Sequence, residues 1–238
     1  MNPNALDTWV MSVAGSLTHR SEIFDLWIEG LKGNQLLKGG VVMAVFWWLW
    51  FGSEPKVKQA REVLLATLLG ALAAAATARI AVILLPFRLR PLHDPDLHYQ
   101  LPFGTSPEAL DGMSSFPSDH AAVFFGLAAG LLFLSRPIGV AMLGYVALFI
   151  ALPRIYTGMH YPTDILAGAF IGVVFATLAN RLWRESAMSA LARRWVDEHP
   201  SSFYSAFFLL AFQVATLFDG ARGVLAVGFR TLRLLVHR

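Results

Sequence analysis

Residues 63–85 read VLLATLLGALAAAATARIAVILL, a run of 23 positions with a single charge, Arg79. Roughly 20 consecutive apolar residues suffice for a helix to cross a hydrocarbon core, so this run by itself predicts a membrane-spanning helix. The rest of the chain agrees. Its 238 residues are 56% hydrophobic and 15% charged, whereas a soluble domain carries about 25% charged residues. Four further apolar runs are predicted to span, at 36–51, 121–134, 138–156 and 165–182, and breakers mark their ends: Gly52, Pro86, Pro117, Pro137 and Pro162. The expected fold is all-α, a polytopic membrane bundle of five to six transmembrane helices with interfacial amphipathic helices.

Residues 1–34 are expected as an N-terminal interfacial region, because Asp7, Arg20, Glu22, Asp25 and Glu29 interrupt the apolar positions there. Met1 to Gly15 lack a basic leading segment, so no cleavable signal is predicted. Residues 35–200 are expected to form the transmembrane core and 201–238 a C-terminal amphiphilic region. In that region, residues 203–218 are predicted to be re-entrant or interfacial, with a sixth crossing as the alternative. The Phe and Trp stripes at 46–51 and 203–208 are expected to face lipid or the interface. The chain has no cysteine, which excludes disulfides and thiolate chemistry.

Basic residues set the orientation. Lys56, Lys58 and Arg61 precede the second span, and Arg181, Arg184, Arg193 and Arg194 follow the fifth. The positive-inside rule places both groups in the cytoplasm, and Arg222, Arg230, Arg233 and Arg238 argue the same for the C-terminus. The loops 86–118 and 157–162 then face outward. They and their flanks hold the chain's unusual polar residues: Arg88, Arg90, His93, Ser118, Asp119, His120, Arg154, His160 and Asp164. Such residues near hydrocarbon are expensive and signal function.

Arginine forks match phosphate oxygens. Ser118 stands where an N-cap belongs, and a helix start offers free N–H groups and a positive dipole end to an anion. A histidine there, His120, is able to protonate a leaving oxygen. In His160-Tyr-Pro-Thr-Asp164, Pro162 suits the first helical position, which puts Asp164 in the first turn within reach of His160. A carboxylate that holds one ring nitrogen leaves the other more nucleophilic. His93 and His98 are expected to be loop histidines, and no metal site or cofactor is predicted.

These residues resemble the membrane-bound type-2 phosphatidic acid phosphatase superfamily, related to vanadium haloperoxidases. Its signature runs Lys, six residues, Arg-Pro; then Pro-Ser-Gly-His; then Ser-Arg, five residues, His, three residues, Asp. The chain has Arg90-Pro91, Pro117-Ser118-Asp119-His120, and Arg154, His160 and Asp164 at the matching spacing. It departs at Ile83 in place of the lysine, at Asp119 in place of the glycine, and at Pro153 in place of the serine. Arg88 or Arg79 is expected to supply the missing charge, with Arg88 favoured on reach. The Asp119 carboxylate is expected to point away from the phosphate.

The resemblance implies a metal-independent lipid phosphatase. His160 would be the nucleophile, Asp164 its orienter and His120 the acid, while Arg90, Arg154, Ser118, the Asp119 amide and Arg88 would hold phosphate. It implies an undecaprenyl diphosphate phosphatase of a bacterial inner membrane, with the site facing the periplasm. Phosphatidic acid, phosphatidylglycerophosphate and lipid A phosphate are the alternative substrates. A non-catalytic lipid transporter or scramblase is the alternative class, but it would not need the paired histidines. The expected partners are the lipid substrate and the surrounding lipids, with no nucleic acid.

Overall fold

A computed structural model describes residues 1–52, 57–183 and 186–219. Ser53 to Lys56, Arg184, and the arginines at 222, 230, 233 and 238 lie outside the described residues. Among the described residues all regular structure is helical, without a strand. Two short helices come first, α1 (Ala5–Leu17) and α2 (Glu22–Gly33). A π-turn, Leu36–Gly40, runs into α3 (Val41–Trp50), and α4 (Val57–Leu84) follows. After the long outer loop come α5 (Asp119–Gly130) and α6 (Arg136–Tyr145), then a π segment leading to α7 (Leu152–Tyr156). The chain continues through α8 (Pro162–Trp183) and α9 (Ala187–Glu198) to α10 (Pro200–Ala215).

Three of these segments, 57–84, 136–156 and 162–183, are long and apolar enough to cross a membrane. Leu36–Trp50, Asp119–Phe133 and Pro200–Ala215 are shorter apolar helices beside them. Their outward faces carry Ile83, Leu84, Leu148, Phe170 and Leu182, all exposed, as a bundle solvated by acyl chains requires.

At the centre, α5 packs against α4 and α8. The contact is close because the helices meet through small residues. A Cβ on Gly168 would stand 2.3 Å from the Ser118 carbonyl oxygen, and one on Gly172 would stand 2.2 Å from that of Ala122. These two glycines let the starts of α5 and α8 touch, and the Ser118 N–H donates to the Asp164 carbonyl at 3.1 Å.

One sequence expectation is revised here. The aromatic stripes face each other as well as lipid. Trp50 stacks on Phe203 at 5.6 Å and meets Phe207 at 4.8 Å, and all three are buried, while Trp48 and Phe208 stay exposed. Gly39 lies against Ala215 at the other end of the same pair. Thus α10 runs antiparallel to the 36–50 segment and packs against it as a further apolar helix. A half-aromatic face finds better burial against Trp47 and Trp50 than in headgroups.

Both N-terminal helices dock on α7, and α1 also touches α8. They expose Trp9, Ile23 and Trp27 while burying Asp7 and Asp25 completely. Their acids point inward because donors wait there. Tyr156 donates its hydroxyl to Asp25, and the His19 and Phe103 amides add bonds of 3.1 Å each.

Candidate active site

Ser118 ends the outer loop as the N-cap of α5, its hydroxyl oxygen accepting the Ala121 N–H at 3.3 Å. It is fully buried, beneath the surface of the neighbouring cavity. That cavity, of about 380 Å³, is lined by Arg90, Asp119, His120, Arg154 and His160, with Arg79 and Lys32 beside them. Arg90 from the long loop, Asp119 and His120 from α5, Arg154 from α7 and His160 from the turn before α8 therefore converge from four separate segments.

His160 precedes α8. Its Nδ1 lies 2.9 Å from the Ser115 carbonyl oxygen. A carbonyl only accepts, so Nδ1 carries the hydrogen and Nε2 keeps its lone pair. Asp164 Oδ2 is 3.6 Å from the same nitrogen, too far for a good hydrogen bond, and it acts on the ring through charge. Burial holds the His160 pKa below its ordinary 6.5, with the Arg90 charge adding to that effect and Asp164 and Asp119 opposing it. The ring therefore stays neutral at neutral pH.

The carboxylate of Asp164 is itself fastened. Oδ2 accepts the Tyr161 N–H at 2.8 Å, and Oδ1 accepts from Arg88 Nη1 at 2.5 Å.

Arg90 donates to three backbone carbonyls, those of Met113 (3.1 Å), Met159 (2.6 Å) and Ser114 (3.1 Å). It ties the outer loop to the turn before His160 and keeps two of a guanidinium's five donors in reserve. Arg154 donates to the Ile150 carbonyl at 3.0 Å. Among the described residues neither arginine has a carboxylate within ion-pair distance. Two buried positive charges therefore face one cavity, with the Asp119 and Asp219 carboxylates on the same wall.

Two phosphate-site expectations change. Arg88, favoured as the replacement cation, does not line the cavity. It turns the other way, between Asp164 and Asp7, because two buried carboxylates hold it more firmly than a solvated site would. Arg79, the alternative, does reach the cavity and pairs there with Asp119. The Asp119 carboxylate also does not point away. It lines the cavity between Arg79 and His120, whose Nδ1 lies 2.8 Å from Oδ1. Asp119 therefore orients the His120 ring, and Arg79 offsets a negative charge that would otherwise repel phosphate.

Three features escaped the sequence reading. The Ser115 carbonyl carries no residue-type signal. Asp219 reaches the cavity only because α10 runs the length of the bundle. Lys32 was assigned to an interfacial helix. It lines the cavity, paired with Glu29 at 2.7 Å, and burial lowers its pKa from the ordinary 10.5, the Arg154 charge adding and Glu29 opposing.

Beside this cavity lies an apolar groove of about 280 Å³, lined by Leu72, Ala75, Ala76, Leu217 and Phe218 and sharing Arg79 and Asp119 with it. The charged cavity thus adjoins an apolar groove, and the two share Arg79 and Asp119.

Residues 84–188 match the PAP2 superfamily. The chain therefore carries a PAP2 superfamily domain, and that stretch contains every expected site residue. It is 37% identical over 70 residues to a putative undecaprenyl-diphosphatase, YbjG, of Escherichia coli (strain K12), covering 29% of this chain and 35% of that protein. It is 33% identical over 91 residues to the undecaprenyl-diphosphatase BcrC of Bacillus subtilis (strain 168), covering 38% and 42%. It is also 43% identical over 68 residues to a lipid A 4'-phosphatase of Bacteroides thetaiotaomicron, covering 26% and 28%. The chain thus spans well under half the length of these relatives. Among solved structures, it aligns with a transmembrane PAP2-type phosphatidylglycerolphosphate phosphatase from Bacillus subtilis at 19% identity and a TM-score of 0.46. That alignment covers 76% of this chain and 87% of the other.

Proposed function

We propose that the protein is a lipid phosphatase that converts undecaprenyl diphosphate to undecaprenyl phosphate through a phosphohistidine. The observation that carries this reading is the pair of histidines on one cation-lined cavity, each with Nδ1 fixed from behind, by the Ser115 carbonyl and by Asp119. The names of two of the relatives above support the substrate, and the adjoining groove supports a prenyl or acyl tail.

In the first step the Nε2 lone pair of His160 attacks the terminal phosphorus. The bond from phosphorus to the bridging oxygen breaks, and that oxygen leaves with a proton from His120. Arg90, Arg154, Ser118 and the Asp119 amide stabilise the equatorial oxygens as charge redistributes. In the second step His120 takes a proton from water, and the oxygen of that water bonds to phosphorus. The nitrogen–phosphorus bond breaks, its electron pair returns to Nε2, and inorganic phosphate departs. Arg90 and Arg154 bring positive charge to the cavity wall, and Asp164 brings a carboxylate behind the His160 ring.

The test is phosphate release by the purified protein from undecaprenyl diphosphate, phosphatidic acid, phosphatidylglycerophosphate and lipid A, with and without chelator. Turnover highest on the diphosphate, persisting in EDTA and inhibited by vanadate, is expected. No release from any of these lipids would overturn the reading.

We further propose that the protein resides in a bacterial inner membrane with the cavity facing the periplasm. Cysteine at the exposed outer-loop position Ser106 should react with an impermeant maleimide on cells with an intact inner membrane. Cysteine at the exposed Lys58 should react only after permeabilisation. The opposite pattern would invert the topology.

A further inference from the structure

Asp7 belongs to α1, far upstream of the matched domain, yet it is 0% exposed and sits directly behind the site. Arg88 lies between it and Asp164: Nη2 donates to Asp7 Oδ2 at 2.6 Å and Nη1 donates to Asp164 Oδ1 at 2.5 Å. Thr163, one residue before Asp164, donates its N–H to Asp7 at 3.0 Å and its hydroxyl at 2.8–2.9 Å. That hydroxyl also accepts from Arg88 Nη1 at 2.9 Å, and the guanidinium stacks over the Tyr161 ring at 4.3 Å. The capping box of α1, in which Asp7 and Asn4 bond each other's backbone N–H, fixes Asp7 from its own helix. Burial pushes the Asp7 carboxyl up, but the bonds from Thr163, Arg88 and Asn4 together outweigh it and hold the group below the usual carboxylate range. Asp7 is therefore ionised and shares one cation with Asp164.

The sharing has a chemical consequence. One guanidinium faced by one carboxylate would neutralise Asp164 and weaken its pull on His160. Faced by two, it leaves the three groups with a net negative charge behind the ring, where positive charge develops as the nitrogen–phosphorus bond forms. The Thr163 bonds also lock the first turn of α8, which carries Asp164, onto α1.

We propose that Asp7 is a positioning residue of the active site: through Arg88 and Thr163 it fixes the Asp164 carboxylate behind His160 and keeps that carboxylate's charge available to the reacting ring. The N-terminal helix is thus part of the catalytic apparatus. The inference rests on His160 being the nucleophile of the proposed phosphatase.

The experiment compares wild type with Asp7→Asn, which keeps the shape and removes the charge, in the full chain in detergent. Phosphate release from undecaprenyl diphosphate is normalised to folded protein. Asp7 does not line the cavity, so kcat is expected to fall about tenfold or more with KM unchanged within about twofold. Should Asp7→Asn not fold, Thr163→Val withdraws the shared hydroxyl while keeping every charge, and the same split at about threefold is expected. A kcat per folded molecule within twofold of wild type overturns the proposal, as does a parallel loss of kcat and gain in KM. A wild-type protein that releases phosphate from none of undecaprenyl diphosphate, phosphatidic acid, phosphatidylglycerophosphate and lipid A would sink the phosphatase reading itself, a result distinct from an active wild type matched by Asp7→Asn.

Discussion

The two ends of the bundle spend charge in opposite ways. At the cavity end Asp7, Arg88, Arg90, Arg154, His160 and Asp164 are all buried. At the other end Arg193 pairs with Glu62 at 2.8 Å and Arg194 with Glu198 at 3.1 Å, their arginine side chains 54% and 73% exposed. Exposed pairs contribute at most about 1 kcal/mol, whereas a buried charge left without its partner costs about 3–5 kcal/mol. The far end carries exposed, weakly paired charge, and the near end gathers buried charge around the cavity.

The sharpest way to break this comparison is His160→Ala. Removing a nucleophile is expected to lower kcat by at least a thousandfold, with the variant still folded and binding lipid. Retention of most of the activity in a phosphate-release assay would end the phosphohistidine scheme.

Arg154→Lys comes next. It keeps the charge and removes the fork, so kcat/KM should fall about 10- to 100-fold, measured on undecaprenyl diphosphate. A variant indistinguishable from wild type would show that Arg154 does not touch the phosphoryl group.

A gentler effect concerns pH. Burial lowers the pKa of His160 below 6.5, so the folded state binds fewer protons there than the unfolded chain. This group's contribution therefore destabilises the fold progressively as pH drops below 6.5 towards the folded value, and the neutral nucleophile persists through pH 6.5. Ethoxyformylation of His160 by diethyl pyrocarbonate, followed by peptide mass spectrometry, should keep a constant rate from pH 8 to 6.5 and slow only below. A midpoint at or above 6.5 would mean that the ring is more solvated than its burial implies.

The smallest effect belongs to the far end. Arg193→Ala should leave both kcat and the melting midpoint nearly unchanged, within about 0.5 kcal/mol. A large loss there would erase the contrast between the ends.

Much of the bundle was legible because hydrocarbon imposes a one-dimensional rule. A run such as 63–85 is a helix wherever it sits, and Pro162 with Asp164 marks the start of α8 without any neighbour. The spacing from Arg154 to His160 and Asp164 is likewise local, within one turn and one helix start. The aromatic stripes were misread because composition cannot tell a ring against lipid from a ring against another helix. Trp50 and Trp48 are two residues apart, and only one is buried.

The sequence by itself determined the helices, their apolar character and the residue types that gather at one end, because each follows from periodicity, caps and breakers within a few turns. Only the tertiary structure decided which of the nearby arginines faces the cavity. Arg79 and Arg88 are nine positions apart and alike in type. One meets Asp119 across α5, and the other is captured by an aspartate 81 positions upstream. It also decided that a backbone carbonyl, that of Ser115, holds the ring of His160. Which carboxylate captures a guanidinium depends on where distant helices close, and the close approach at Gly168 and Gly172 that brings α5 to α8 is a property of packing in three dimensions.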